Sequence, residues 1–328
     1  MSPVRITDVA PRDGLQNEPG IISVEDKLAL VESLALSGVD EVEVTSFVSP
    51  KWVPQLADAE AVLAGVREFC DGVRQVAGGM PTRAQGGRVL PVFSVLAPNG
   101  KGFERALAVH EGGLPLKLAL FTAASETFNR KNTNSSIAES VERFGALLPR
   151  AVAAGMPVRM YVSCAVACPF EGAIEPGQVR RVVEMLLALA ASDAERRALE
   201  VDLGDTIGVA TPQQIVALLG SFERGFVESQ VTLHLHDTFG RATECVRAGL
   251  GCGVRSFDGA AGGLGGCPYA STPERRAPGN IATEALVRTV HAAGFRTEVD
   301  EEALAQAGAL ARRLSTPSRA ARPGEVDR

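Results

Sequence analysis

Paired cysteines are missing from this chain, and histidine is scarce. Only four of the 328 residues are His, and the six cysteines (Cys70, Cys164, Cys168, Cys245, Cys252 and Cys267) include no Cys-x-x-Cys pair. That spacing argues against a zinc ribbon or a dithiol redox motif, and scattered thiols fit a reduced compartment better than a disulfide framework. No apolar run approaches the ~20 residues that span a bilayer, so no membrane partner is expected. The opening stretch MSPVRITDVAPRDG has no apolar signal core, and a cytoplasmic location is expected. Net charge is −6 and no basic run interleaves with aromatics, which leaves no footprint for nucleic acid. Nor does a G-x-G-x-x-G loop follow the first apolar segment, as a dinucleotide-binding doubly wound sheet would require.

What remains is a regular alternation of short β-branched runs and longer amphipathic stretches. Strands are expected over 4–10, 40–46, 90–96, 116–122, 158–164, 199–205, 231–237 and 255–261. Helical patterns fall at 24–37, 54–69, 136–154, 176–192, 211–222 and 241–251, with start signals at Ser23 and at Thr211–Pro212. Strand–helix repetition along a whole chain implies a parallel sheet. Eight strands in a chain of this length predict an α/β fold, a (β/α)8 TIM barrel, with additional C-terminal helices at ATEALVRTVHAAG and DEEALAQAGALARRL. We expect one domain over 1–316 and a disordered tail over 317–328.

One strand is unusual. VTLHLHDTFG (231–240) carries His234 and His236 two residues apart, so both imidazoles face one side of the sheet. Such a pair suits a metal, but it also suits a hydrogen-bonded core pair, and spacing alone leaves both open. Position adds weight. Arg12 and Asp13 follow strand one, Glu43 lies in strand two, Asp205 ends strand six, and the glycine-rich AGGLGGCPYA follows strand eight. Active sites of these barrels lie at the C-terminal ends of the strands. Unpaired buried polar groups cost ~1–3 kcal/mol each, so a rim crowded with them argues for a site.

The blocks PRDGLQNE (11–18), VEVTSFVSPKWVPQLAD (42–58), YVSCAVACPFEG (161–172), LGDTIGVATP (203–212), LHLHDTFG and GGLGGCPYA (262–270) together resemble the 3-hydroxy-3-methylglutaryl-CoA lyase family across almost the whole chain. The resemblance implies a metal-dependent barrel that cleaves a branched 3-hydroxyacyl-CoA thioester to acetyl-CoA and acetoacetate by retro-Claisen chemistry. It implies a divalent cofactor, Mg²⁺ or Mn²⁺, held by Asp13, His234, His236 and Asn280, and Cys267 as the acid that protonates the enolate. Carboxylate, amide and imidazole donors suit those ions. Arg12 is the natural stabiliser of an enolate oxygen, and Glu43 is expected to pair with it and to orient either Arg12 or a metal-bound water. The general base stays open among Asp13, His234 and a water. Gln16, Thr45, Ser46, Asp205 and Thr206 are expected around the substrate, although a helix-capping carboxylate before TIGVATP is an almost equal reading for Asp205. Cys164 and Cys168 are expected to be inert core thiols. A homodimer is expected.

Two departures bear on substrate. The stretch CPYASTPERRAPGN is longer than in typical relatives, and Pro19 stands where a Lys often follows QNE. They raise a different branched 3-hydroxyacyl-CoA or a hydroxy-diacid as alternative substrate. Rival readings are a condensing acyltransferase of the isopropylmalate or homocitrate synthase kind, and a silent metal-binding sensor.

Overall fold

All eight expected strands form in the computed structural model, which describes residues 3–76, 90–266 and 279–315. They are β1 (Arg5–Asp8), β2 (Glu41–Ser46), β3 (Val92–Leu96), β4 (Leu116–Ala123), β5 (Val158–Ser163), β6 (Glu200–Asp205), β7 (Val231–Leu235) and β8 (Ser256–Gly259). Each pairs in parallel with its neighbours in sequence, and β8 closes on β1 from Arg5↔Ser256 to Asp8↔Gly259. The result is a closed (β/α)8 barrel. A small antiparallel pair, Ala167–Cys168 with Gly172–Ala173, decorates the segment after β5.

Helix starts follow their capping signals. Ser23 accepts from the Asp26 N–H at the head of Val24–Leu36, and Thr211 forms a capping box with Gln214 ahead of Pro212–Leu219. The helix expected from 54 begins at Ala59, because Pro54–Leu56 closes a separate 3₁₀ turn. Four helices were not anticipated: Gly100–Glu111, Glu126–Thr133, Asp193–Ala198 and Arg224–Gln230. The first opens on GKG and the other three are short and polar, so apolar periodicity is weak in each; Asn99, Ser125 and Ser192 cap the first three. The two C-terminal helices form at Thr283–Ala292 and Glu301–Ser315. The tail expected from 317 lies outside the described residues. Among those described, no helix is long and apolar enough to cross a membrane.

Alternation along the strands decides where the core sits. Val42, Val44, Leu118, Leu120, Val201, Leu203, Leu233 and Leu235 are buried with helix residues such as Leu30, Leu34, Phe103 and Phe144, and form the apolar layer. Their neighbours Glu41, Glu43, Lys117, Arg159, Glu200, Asp202, Thr232 and Asp258 turn into the barrel and are equally buried. Branched apolar side chains ordinarily fill this space. Here ions do. Lys117 Nζ donates to Glu41 at 2.7 Å and Glu200 at 2.6 Å, while Arg159 reaches Glu200 at 2.6 Å and Asp258 at 3.0 Å.

Candidate active site

The turn that leaves β1 supplies two functional residues. Ala10–Gly14 is a five-residue π-type turn in which the N–H groups of Arg12, Asp13 and Gly14 all converge on the Val9 carbonyl, at 3.2, 2.8 and 3.1 Å. Such turns recur at functional sites because they re-aim side chains that a regular helix would turn away. Pro11 has no N–H to lose there. Gly14 is required by packing, since a Cβ on it would lie 2.8 Å from Leu264 Cβ.

Asp13 is held by one oxygen and presents the other. Its Oδ1 accepts from Arg12 NH1 and Gln16 Nε2, both at 2.7 Å. Its Oδ2 lies 4.0 Å from Nε2 of both His234 and His236, and accepts from Asn280 Nδ2 at 2.8 Å. The two Nε2 atoms are 3.2 Å apart. Burial opposes the Asp13 charge, but Arg12 and the imidazoles together hold this carboxyl below the usual range. Burial and the neighbouring His234 push His236 down to about 4, so it stays neutral and keeps a lone pair. Asn280 arrives by a bridge to His236, and its buried Oδ1 has no partner among the described residues. Gly265, at φ +96°, passes so close that a Cβ would sit 2.7 Å from Asn280 Nδ2.

These residues fit a divalent ion. Ligand atoms ~2.1 Å from a shared Mg²⁺ in octahedral geometry stand about 3 Å apart at adjacent positions, close to the separation of the two imidazole nitrogens. The unpaired Asn280 oxygen adds a hard donor beside Asp13. A second cluster, Asp202, His234 and Asp258, also brings ligand-type atoms together. It already holds a cation of the chain, because Arg159 NH1 lies 3.0 Å from Asp258 and 3.5 Å from Asp202.

Arg12 links the ligand set to β2. Its Nε and NH2 both reach Glu43 Oε2 at 2.6 Å. Burial raises the proton affinity of Glu43, and Arg12 and Arg159 pull against that. The expected Arg12–Glu43 pair is therefore present inside the barrel. Tyr161, which sequence reasoning passed over, sits at the junction. Its hydroxyl donates to Glu43 at 3.2 Å, its ring stands edge-on to His234, and Arg12 lies over its face. Asp258, Arg159 and Asp202 were also missed. Each is a charged residue within an expected strand, as Glu43 is.

Other expected residues fall elsewhere. Asp205 caps no helix, since Thr211 is the N-cap of Pro212–Leu219; its carboxylate instead accepts from the Val209 and Ala210 N–H groups of the preceding loop, at 3.1 and 2.9 Å. Ser46 donates to the Leu96 carbonyl and accepts from Val48, and so ties β2 to β3. Thr206 accepts from the Cys164 N–H at 2.7 Å, at a residue with φ 57°. Thr45 Oγ1 is buried without a partner. Cys164 and Cys168 are buried, the latter beside Ser125. Cys267 and most of CPYASTPERRAPGN lie outside the described residues.

A model of the HMGL-like family matches residues 3–311. The chain belongs to that family. Among curated relatives, the mitochondrial hydroxymethylglutaryl-CoA lyase of Bos taurus is 41% identical over 307 residues, covering 94% of this chain and 84% of that one. Among solved structures, the HMG-CoA lyase of Brucella melitensis is 40% identical with a TM-score of 0.81, covering 96% of this chain and 99% of that one. An HMG-CoA lyase from Acinetobacter baumannii, solved with coenzyme A and 3-methylmalate, is 32% identical with a TM-score of 0.78, covering 99% and 97%. The family expected from the motifs is the family found.

Proposed function

We propose that this chain is a carbon–carbon lyase that cleaves 3-hydroxy-3-methylglutaryl-CoA to acetyl-CoA and acetoacetate. The observation that carries the reading is the meeting of Asp13, His234, His236 and Asn280 beside the Arg12–Glu43 pair, at one mouth of an HMGL-like barrel. Cleavage removes the proton of a tertiary hydroxyl, breaks the adjacent C–C bond and leaves electrons on the thioester oxygen as an enolate, whose carbon then takes a proton. A bound Mg²⁺ or Mn²⁺ supplies Lewis acidity that makes the hydroxyl easier to ionise. Asp13, the two imidazoles and Asn280 are the residues that would hold it.

Arg12 is assigned to the enolate oxygen. A fixed guanidinium in a water-poor site stabilises developing negative charge at no reorganisation cost. Glu43 and Tyr161 fix its direction, and burial raises the proton affinity of Glu43. Cys267 is assigned the final protonation on the strength of the family motif. The acyl-CoA class is supported by the neighbour that binds coenzyme A.

The test is direct. Purified protein with Mg²⁺ or Mn²⁺ should release acetoacetate from 3-hydroxy-3-methylglutaryl-CoA at the ~10 s⁻¹ typical of enzymes, and a chelator should abolish it. Cleavage confined to another branched hydroxyacyl thioester in the same panel would reassign the acyl group. Condensation of acetyl-CoA without any cleavage would overturn the lyase reading.

A further inference from the structure

His234 has two ring nitrogens with different duties. Nε2 faces Asp13 and His236, whereas Nδ1 lies 3.1 Å from Asp258 Oδ2. An imidazole can offer a lone pair from Nε2 only if its proton sits on Nδ1 or is absent. Whatever stands against Nδ1 therefore decides whether His234 can be a ligand.

Asp258 is fully buried on β8, and its orientation is fixed from the opposite side of the barrel. Arg159 NH1 donates to Oδ1 at 3.0 Å and to Oδ2 at 3.1 Å, and the Tyr161 hydroxyl oxygen lies 3.4 Å from Oδ2. Arg159 is itself immobilised by Thr7 at 2.8 Å and Glu200 at 2.6 Å. A carboxylate so clamped presents only an acceptor to Nδ1.

Resting on the metal-site reading above, we propose that Asp258, clamped by Arg159, is the positioning residue that fixes the Nδ1–H tautomer of His234 and so aims its Nε2 lone pair at the ion. Among the described residues, Asp258 is the acceptor that faces Nδ1.

Asp258→Asn is a sharp probe, because Arg159 would keep the amide oxygen and turn the amide N–H₂ toward His234. The ring would then have to accept at Nδ1 and carry its proton on Nε2, where it blocks the ion. Two readouts need no substrate, so failure of the lyase reading leaves them intact. In metal-free protein, ¹⁵N shifts of His234 should switch from the Nδ1–H to the Nε2–H pattern. Titration with Mn²⁺ should show affinity weakened about 10–100-fold, the usual effect of losing a partner behind a ligand. Arg159→Lys, which keeps the charge but loses the fork, should give a smaller shift in the same direction and serves if the Asn variant does not fold. Glu200→Gln, which loosens the far end of Arg159 and leaves its contact with Asp258 in place, should shift the tautomer and Mn²⁺ affinity less than Arg159→Lys does. An unchanged His234 tautomer in Asp258→Asn would overturn the assignment. So would a Glu200→Gln loss as large as that of Asp258→Asn.

Discussion

At the N-terminal end of the barrel, Lys117, Glu41, Glu200 and Arg159 pack around a cavity of about 400 Å³, and each has an opposite charge within reach of a hydrogen bond. At the C-terminal end, one oxygen of Asp13 is matched by Arg12, but its other oxygen faces two imidazole nitrogens and an orphan amide oxygen sits alongside. Both ends are buried and charged. They differ in completeness: one set of ions is balanced by the chain itself, and the other gathers electron pairs with no cation of its own at their centre. Cavity size does not separate them. Charge matching does: the carboxylates of the first set face Lys117 and Arg159, although Glu41 Oε1 and Arg159 Nε have no hydrogen-bond partner among the described residues, whereas the donors of the second set face one another.

Removing one cation from each end sharpens that contrast. Lys117→Met should leave Glu41 with Arg159, and Glu200 with Arg159 and the more exposed Arg5, at a cost of ~3–5 kcal/mol in stability, the usual result of breaking a buried pair. Denaturant unfolding should report that loss, while turnover per folded molecule and Mn²⁺ affinity stay near the parent values. Arg12→Gln should do the reverse. Glu43 already has raised proton affinity and can neutralise, so the fold suffers less. Yet kcat should fall ~10²–10³-fold, equivalent to ~2.7–4 kcal/mol in the barrier. A large stability loss with unchanged kcat in Arg12→Gln would place the two ends in the same class.

Much of this was legible beforehand, for reasons that also explain the gaps. Eight β-branched runs separated by helical patterns leave few alternatives to a barrel, and Asp13, Gln16, Glu43, His234, His236 and Asn280 do meet. The interior ion column was not seen. Lys117 in LKLALFT reads as a solvated face until the barrel closes and turns that face inward. Asp258 was hidden similarly: its importance comes from register, β7 placing His234 directly opposite it on β8. Tyr161 opens the block YVSCAVACPFEG, but its hydroxyl has meaning only once β2 brings Glu43 within 3.2 Å. Long-range pairing, which no local pattern encodes, supplies what was missed.

Asp205 tests whether position at the C-terminal rim is enough to make a residue functional. It ends β6, where an active-site carboxylate would stand, yet its carboxylate partners are the backbone N–H groups of Val209 and Ala210. Burial raises its pKa to about 6 from an ordinary 3.8, and the two N–H donors only partly offset that. Because the folded state binds this proton more tightly than the unfolded state, the contribution is full below pH ~4 and fades as pH rises through ~6. At about 1.4 kcal/mol per unit the fall is at most ~3 kcal/mol. The difference in unfolding free energy between parent and Asp205→Asn, measured from pH 4 to 7, should carry that slope and level off above it. Mn²⁺ affinity should not change, since the side chain reaches no ligand. A flat difference curve with weakened Mn²⁺ binding would instead move Asp205 into the incomplete set of charges at that mouth.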